Sequence, residues 1–186
     1  MPAEMKTMLV LLLTLAAGLE STAQTWSISI NAADYADLGT LNAEAGYAFG
    51  RHWNASAGFR YNPFSFRSDG EPFHRRRRIF AAGLRYWPWH VYSGWWLAGK
   101  LQYQEYNYGG LRSPQTREGE RIGAGMTAGY AYMLTPWLNL EAGVGLWAGS
   151  DRFTIFSCPV CGSTEKQGRR PFLRSDDWLL ALRFIF

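Results

Sequence analysis

The chain has 186 residues, enough for one domain, and a formal net charge of +4, a modest surplus that is concentrated at particular points. After residue 23 it has no apolar run of the roughly 20 residues that a membrane-spanning helix requires, which excludes a helical span from the body of the chain. Nine Trp, ten Tyr, eleven Phe and twenty Gly form a heavy aromatic and glycine load, the two residue types that barrels use for interfacial girdles and crowded interiors.

Residues 1–23 read as an export signal. Lys6 precedes the apolar run from Met8 to Gly18, which has signal-peptide length, and Ser21 and Ala23 are small residues at the −3 and −1 places of a cleavage after Ala23. Met5 is an alternative start, since Met5-Lys6 opens a more typical leader. The competing interpretation, a buried amino-terminal helix, finds no helical domain downstream to pack on. Residues 24–186 form the second unit, and their dominant signal is period two.

Trp26, Ile28 and Ile30 alternate with Ser27, Ser29 and Asn31. Ala43, Ala45 and Tyr47 oppose Asn42, Glu44 and Gly46. From Trp53 the outward set is Ala55, Ala57, Phe59 and Tyr61, with Asn54, Ser56, Gly58 and Arg60 inward. Phe80, Ala82, Leu84 and Tyr86 face away from Arg85. Gly99, Leu101 and Tyr103 alternate with Lys100, Gln102 and Gln104, and Ala124, Met126, Ala128 and Tyr130 with Gly123, Gly125, Thr127 and Gly129. Leu138, Leu140, Ala142, Val144 and Leu146 oppose Asn139, Glu141, Gly143 and Gly145. The last strand puts Trp178, Leu180, Leu182, Phe184 and Phe186 on one face and Arg183 on the other.

These eight segments predict an all-β fold, an eight-stranded antiparallel transmembrane β-barrel. Short links at 50–52, 88–93 and 135–136 become periplasmic turns. The long polar links at 34–40, 65–75, 107–118 and 150–174 become outer loops. Trp53, Trp87, Trp89, Trp137 and Phe186 are then expected to line the periplasmic interface. A soluble sandwich or lipocalin-like barrel also alternates, but it turns its apolar face inward. Here the face opposite the apolar one is Gly, Ser, Asn and a few charges, which suits a narrow lumen.

Several side chains are candidates for function. Glu44, Arg60, Arg85, Lys100, Glu141 and Arg183 are expected to fill the lumen as a network of ion pairs. Arg75, Arg76, Arg77 and Arg78 form the sharpest charge run. They are either an anion patch for lipid phosphates at the outer leaflet or a solvated loop end. Cys158 and Cys161 have the spacing of an oxidoreductase motif or half a zinc site, but lack the helix or second cysteine pair those need. A local disulfide is the plainer reading. The three histidines, His52, His74 and His90, define no triad, so no catalytic residue, metal or cofactor is assigned. Phe186 is the expected assembly signal, read by the barrel-assembly machinery by resemblance to outer-membrane proteins generally.

Arg60-Tyr61-Asn62-Pro63-Phe64, Leu84-Arg85-Tyr86-Trp87, Tyr106-Asn107-Tyr108-Gly109-Gly110 and Gly129-Tyr130-Ala131-Tyr132 with Trp137-Leu138-Asn139-Leu140-Glu141 occur in an order that resembles domain-of-unknown-function family 3575, small exported proteins of Bacteroidales-type bacteria. Cys158-Pro159-Val160-Cys161-Gly162 looks like that family's paired-cysteine loop. One departure is Ala82-Gly83, where relatives are expected to carry Pro-Glu. The resemblance implies a surface or fimbria-associated role and supplies no catalytic residues. The expected function is therefore a non-enzymatic outer-membrane barrel in contact with membrane lipid and with fimbrial or other surface proteins, and without nucleic acid. A lipid-modifying enzyme and a small pore are the alternatives.

Overall fold

The computed structural model describes residues 25–68, 71–109, 115–157 and 163–186. The leader at 1–23 and the Cys158–Cys161 pair lie outside the described residues. The elements are β1 (Trp26–Asn31), α1 (Ala32–Ala36), β2 (Leu41–Ala48), β3 (Trp53–Asn62), β4 (Ser65–Ser68), β5 (Glu71–Tyr86), β6 (Gly94–Gly109), β7 (Thr116–Thr135), β8 (Leu138–Phe156) and β9 (Thr164–Ile185). All pair antiparallel in one sheet, ordered β3-β2-β1-β9-β8-β7-β6-β5-β4, and β3 also pairs with β5. That last pairing closes an eight-stranded barrel. The short β4 continues the β3 arm beyond Asn62, where Pro63, with no N–H to donate, interrupts the ladder.

Alternation sets the faces. Ile28, Ile30, Phe80, Leu84, Leu101, Ile122, Met126, Val144, Leu146, Leu180 and Leu182 are all exposed on the outer surface, while the buried set is mostly polar and charged. This inverts the soluble barrel, whose apolar side chains point inward. No helix among the described residues is long and apolar enough to cross a membrane. Outward aromatic pairs circle one end: Trp26 with Tyr47, Trp53 with Tyr86, Trp95 with Tyr130 and Trp137 with Phe184, at ring separations of 4.7, 5.0, 5.2 and 6.2 Å.

Both ends of the described chain lie at that girdled end, where the Phe186 N–H donates to the Trp26 carbonyl at 2.8 Å and the Phe186 carbonyl accepts from Thr25 N–H at 2.9 Å. The interior there is closed by an apolar plug of Trp87, Val91, Tyr92, Trp96, Ala131 and Ile185. Trp87, expected at the periplasmic interface, is instead fully buried in this plug and donates its indole N–H to Asn54 Oδ1 at 2.8 Å. The physical reason is parity: Trp87 follows Tyr86 and so takes the inward side that Arg85 already holds. Tyr92 adopts a left-handed φ of 65°, held there by its buried ring and by its carbonyl, which accepts from Asn139 Nδ2 at 2.6 Å.

The far end differs from the expected long loops. The described parts of 65–75, 107–118 and 150–174 are nearly all strand, because the alternation simply continues with polar residues on the outer side. The register Arg78↔Glu105↔Glu120↔Arg152↔Arg169 runs across five strands of this extension. The expected loop at 34–40 begins inside α1, whose N-cap is the Asn31 side chain, accepting from Ala33 N–H at 3.2 Å. Asn31 also extends the seam where β1 leaves β9, its Nδ2 donating to the Trp178 carbonyl at 2.9 Å and its Oδ1 accepting from Leu180 N–H at 2.9 Å.

Candidate functional site

Above the apolar plug, the interior is a stack of ion-paired layers, each built from inward positions of different strands. The first unites β2, β5, β8 and β9. Arg183 donates from Nε to Glu141 Oε1 at 2.6 Å and from Nη2 to Glu141 Oε2 at 3.1 Å and to Glu44 Oε1 at 2.7 Å. Arg85 bridges the same two carboxylates, Nη1 to Glu141 Oε2 and Nη2 to Glu44 Oε1, both at 2.9 Å. Arg183 Nη1 donates to Ser27 Oγ at 2.9 Å, and the Arg85 guanidinium lies 4.2 Å from the Trp96 ring centroid. Two positive and two negative charges close on themselves here, with Glu141 and Arg183 completely buried.

The second layer joins Arg60 and Lys100 to two carboxylates outside the expected network, Asp34 and Asp177. Arg60 reaches Asp34 Oδ2 at 3.1 Å and Asp177 Oδ1 at 3.0 Å. Lys100 Nζ donates to Asp177 Oδ2, which also accepts from Thr127 Oγ1 at 2.7 Å. Asp34, on α1, is held above its ordinary pKa because burial outweighs the opposing pull of the Arg60 and Arg77 guanidiniums. All six lumen charges expected from sequence are therefore inside, split between two layers.

The arginine run is divided by its strand. Arg75 and Arg77 face inward and pair with Asp37 at 2.6 Å each, Arg77 also lying 3.6 Å from Asp34 Oδ1. Arg76 and Arg78 face outward, Arg76 donating to Ser65 Oγ at 2.7 Å and Arg78 to Glu105 Oε2 at 3.4 Å. The four arginines thus form no single patch: successive β side chains take opposite sides, and carboxylates already engage three of them. A fourth cluster lies at the far end, where Asp151 accepts from the Tyr106 hydroxyl at 2.7 Å and from Arg117 at 2.7 Å, with Arg121 at 3.4 Å and Arg170 at 3.3 Å.

The histidines sit apart from one another. The Nδ1 atoms of His52 and His90 lie against the carbonyls of Trp87 and Val91, and His74 Nε2 lies 2.6 Å from Asn107 Oδ1. Among the described residues no three His, Cys, Asp or Glu side chains converge as a metal-holding group.

These features define a closed antiparallel β-barrel with an outward apolar belt and an interior packed with ion pairs. The chain matches the family model described as "Protein of unknown function (DUF3575)" over residues 8–186, and it belongs to that family. No curated protein and no solved structure matches it.

Proposed function

We propose that this is an outer-membrane barrel, exported by the leader at 1–23, that binds a fimbrial or other cell-envelope component through its far end and carries out no chemistry. The girdled end, with the short turns and Phe186, is periplasmic in this reading, and the apolar belt faces lipid. The observation that carries it is the length of the strands. β7 has 20 residues. At ~3.3 Å per residue and ~45° of tilt such a strand rises about 47 Å, against an apolar belt of ~25 Å. The surplus stands as a polar wall outside the membrane. On its outer face Arg78, Glu105, Glu120 and Arg152 line a groove of about 860 Å³, together with Tyr61 and Tyr103. Mixed charges flanked by aromatic rings suit a protein partner. The ion-paired lumen argues against conduction, and planar bilayers are expected to show no steady current.

Two measurements test this. Outer-membrane fractions should contain a heat-modifiable species; a soluble periplasmic product with no mobility shift would overturn the barrel's placement. Purified fimbrial subunits from the same cells should be retained by the immobilised wild type and lost with Glu105→Lys/Arg152→Glu. Undiminished retention would remove the groove as the binding face.

A further inference from the structure

The barrel has an unsealed flank. β1 pairs with β9 only at 181–185, and among the described residues no other strand covers that edge of β9 from 164 to 180. Asn31 covers Trp178 and Leu180 with its side chain and α1 packs against β9, but among the described residues no strand pairs with that edge below 178. On its other side β9 slips register against β8, the pairing jumping from Gly145↔Asp177 to Trp147↔Arg174. Such a bulge bends a strand and increases its local twist. A cavity of about 510 Å³ opens here. Arg121, Asp151, Arg170 and Phe172 line it from the inner rows of the sheet, and Leu173 and Trp178 from the outer rows. The cavity lies along the β9 edge that no strand covers, where inward and outward residues of that strand line it together.

Positive charge gathers beside it among the described residues. Three guanidiniums, those of Arg117, Arg121 and Arg170, crowd one carboxylate, Asp151, whose oxygens also take the Tyr106 hydroxyl. Arg121 is 2% exposed, lies 4.0 Å from the Tyr106 ring centroid, and has its Nε 3.4 Å from Asp151 Oδ1, while its Nη1 has no hydrogen-bond partner among the described residues. Buried donors of this kind are costly unless an acceptor meets them. A planar guanidinium presents parallel N–H groups matched to the oxygens of a phosphate. At the mouth, Leu173 is 73% exposed and Trp178 63%, both on the outward apolar face.

We infer that this flank cavity binds the phosphate headgroup of a membrane amphiphile, Arg121 and Arg170 holding the phosphate while the acyl chain leaves along Leu173 and Trp178. The inference rests on the membrane placement proposed above but does not depend on the fimbrial partner. The headgroup enters sideways around the β9 edge, without crossing the ion-paired lumen.

The test uses the full mature chain refolded in detergent micelles, with heat-modifiable mobility recorded on each sample. Native mass spectrometry then compares retention of phosphatidylglycerol with diacylglycerol of the same chain length. Phosphatidylglycerol is expected to stay bound and diacylglycerol to be lost. Arg121→Gln should lower phosphatidylglycerol retention about tenfold, and Arg170→Glu, at a half-exposed position, several-fold, with the mobility shift showing that each variant is folded. Equal retention of the two lipids, or full retention by folded Arg170→Glu, would overturn the site. Inorganic phosphate displacing the lipid at equal concentration would overturn the amphiphile and leave a simple anion site in its place. A missing mobility shift in the wild type would instead strike at the membrane barrel itself.

Discussion

The interior quartet makes a quantitative demand on the variant Glu141→Gln. Glu141 accepts three hydrogen bonds from two arginines through two oxygens. Glutamine keeps the shape but replaces one oxygen with an amide NH₂, which then faces a guanidinium N–H with nothing to accept. It also leaves the layer with one net positive charge among side chains that are 0–4% exposed, apart from Glu44. Breaking a buried pair from one side costs about 3–5 kcal/mol. The outward pair Arg78–Glu105 is the internal control: its groups are about half exposed and 3.4 Å apart. Glu105→Gln should therefore cost less than about 1 kcal/mol. Reversible urea unfolding of the refolded barrel, followed by tryptophan fluorescence and by gel mobility, measures both. The expected outcome is a large fall in midpoint for Glu141→Gln at unchanged slope, and almost none for Glu105→Gln. A loss below about 1 kcal/mol at Glu141 would refute the claim that the layer is dry and mutually dependent.

Other consequences follow from single contacts. Trp87→Phe keeps most of the plug's volume but strips Asn54 of its indole donor, so a loss of about 1–3 kcal/mol is expected in the same urea assay. Gly149→Ala should lower the yield of folded barrel, since its Cβ would stand 2.0 Å from the Ile122 carbonyl oxygen, whereas Gly99→Ala meets nothing within 4 Å and should refold as wild type. Deleting Phe186 removes the carbonyl that ties Thr25 and Trp26 to the carboxy-terminal strand; membrane levels in cells should fall, and normal levels would count against its role in assembly.

Most of the barrel was legible because period two does not depend on context. Each inward charge expected from sequence lies inside, and the strand positions of the core segments agree. What escaped notice was the reach of that same parity. Counting back by twos from Arg183 arrives at Asp177, and counting forward from Glu141 passes Trp147 and ends at Asp151; all three are buried. Asp151 and Asp177 lie in polar sequence, beyond Ala148 and before Trp178, that reads as loop when lipid is assumed to flank every strand. Asp34 and Asp37 could not be placed by alternation at all. They lie in and after α1, and their inward approach depends on the Asn31 cap and on the arginines of β3 and β5. The split of the arginine run follows directly from extending β5 back to Glu71.

The seam between β1 and β9 has a kinetic meaning. Strands β5 to β9 join through consecutive hairpins, so each new strand finds its neighbour already formed. The seam joins the two ends of the chain: Ser27 and Arg183, which meet across it, are 156 positions apart. Closing so long a loop has the largest entropic cost of any pairing in the barrel, and the reward is a ladder only five residues long. Ring closure is thus expected as the final and slowest event of assembly, and reopening as the first event of unfolding. Arg183 sits on that ladder and contributes hydrogen bonds to Ser27, Glu44 and Glu141 only once it is in place. A single side chain thereby serves as the latch that distinguishes a finished barrel from a curled sheet.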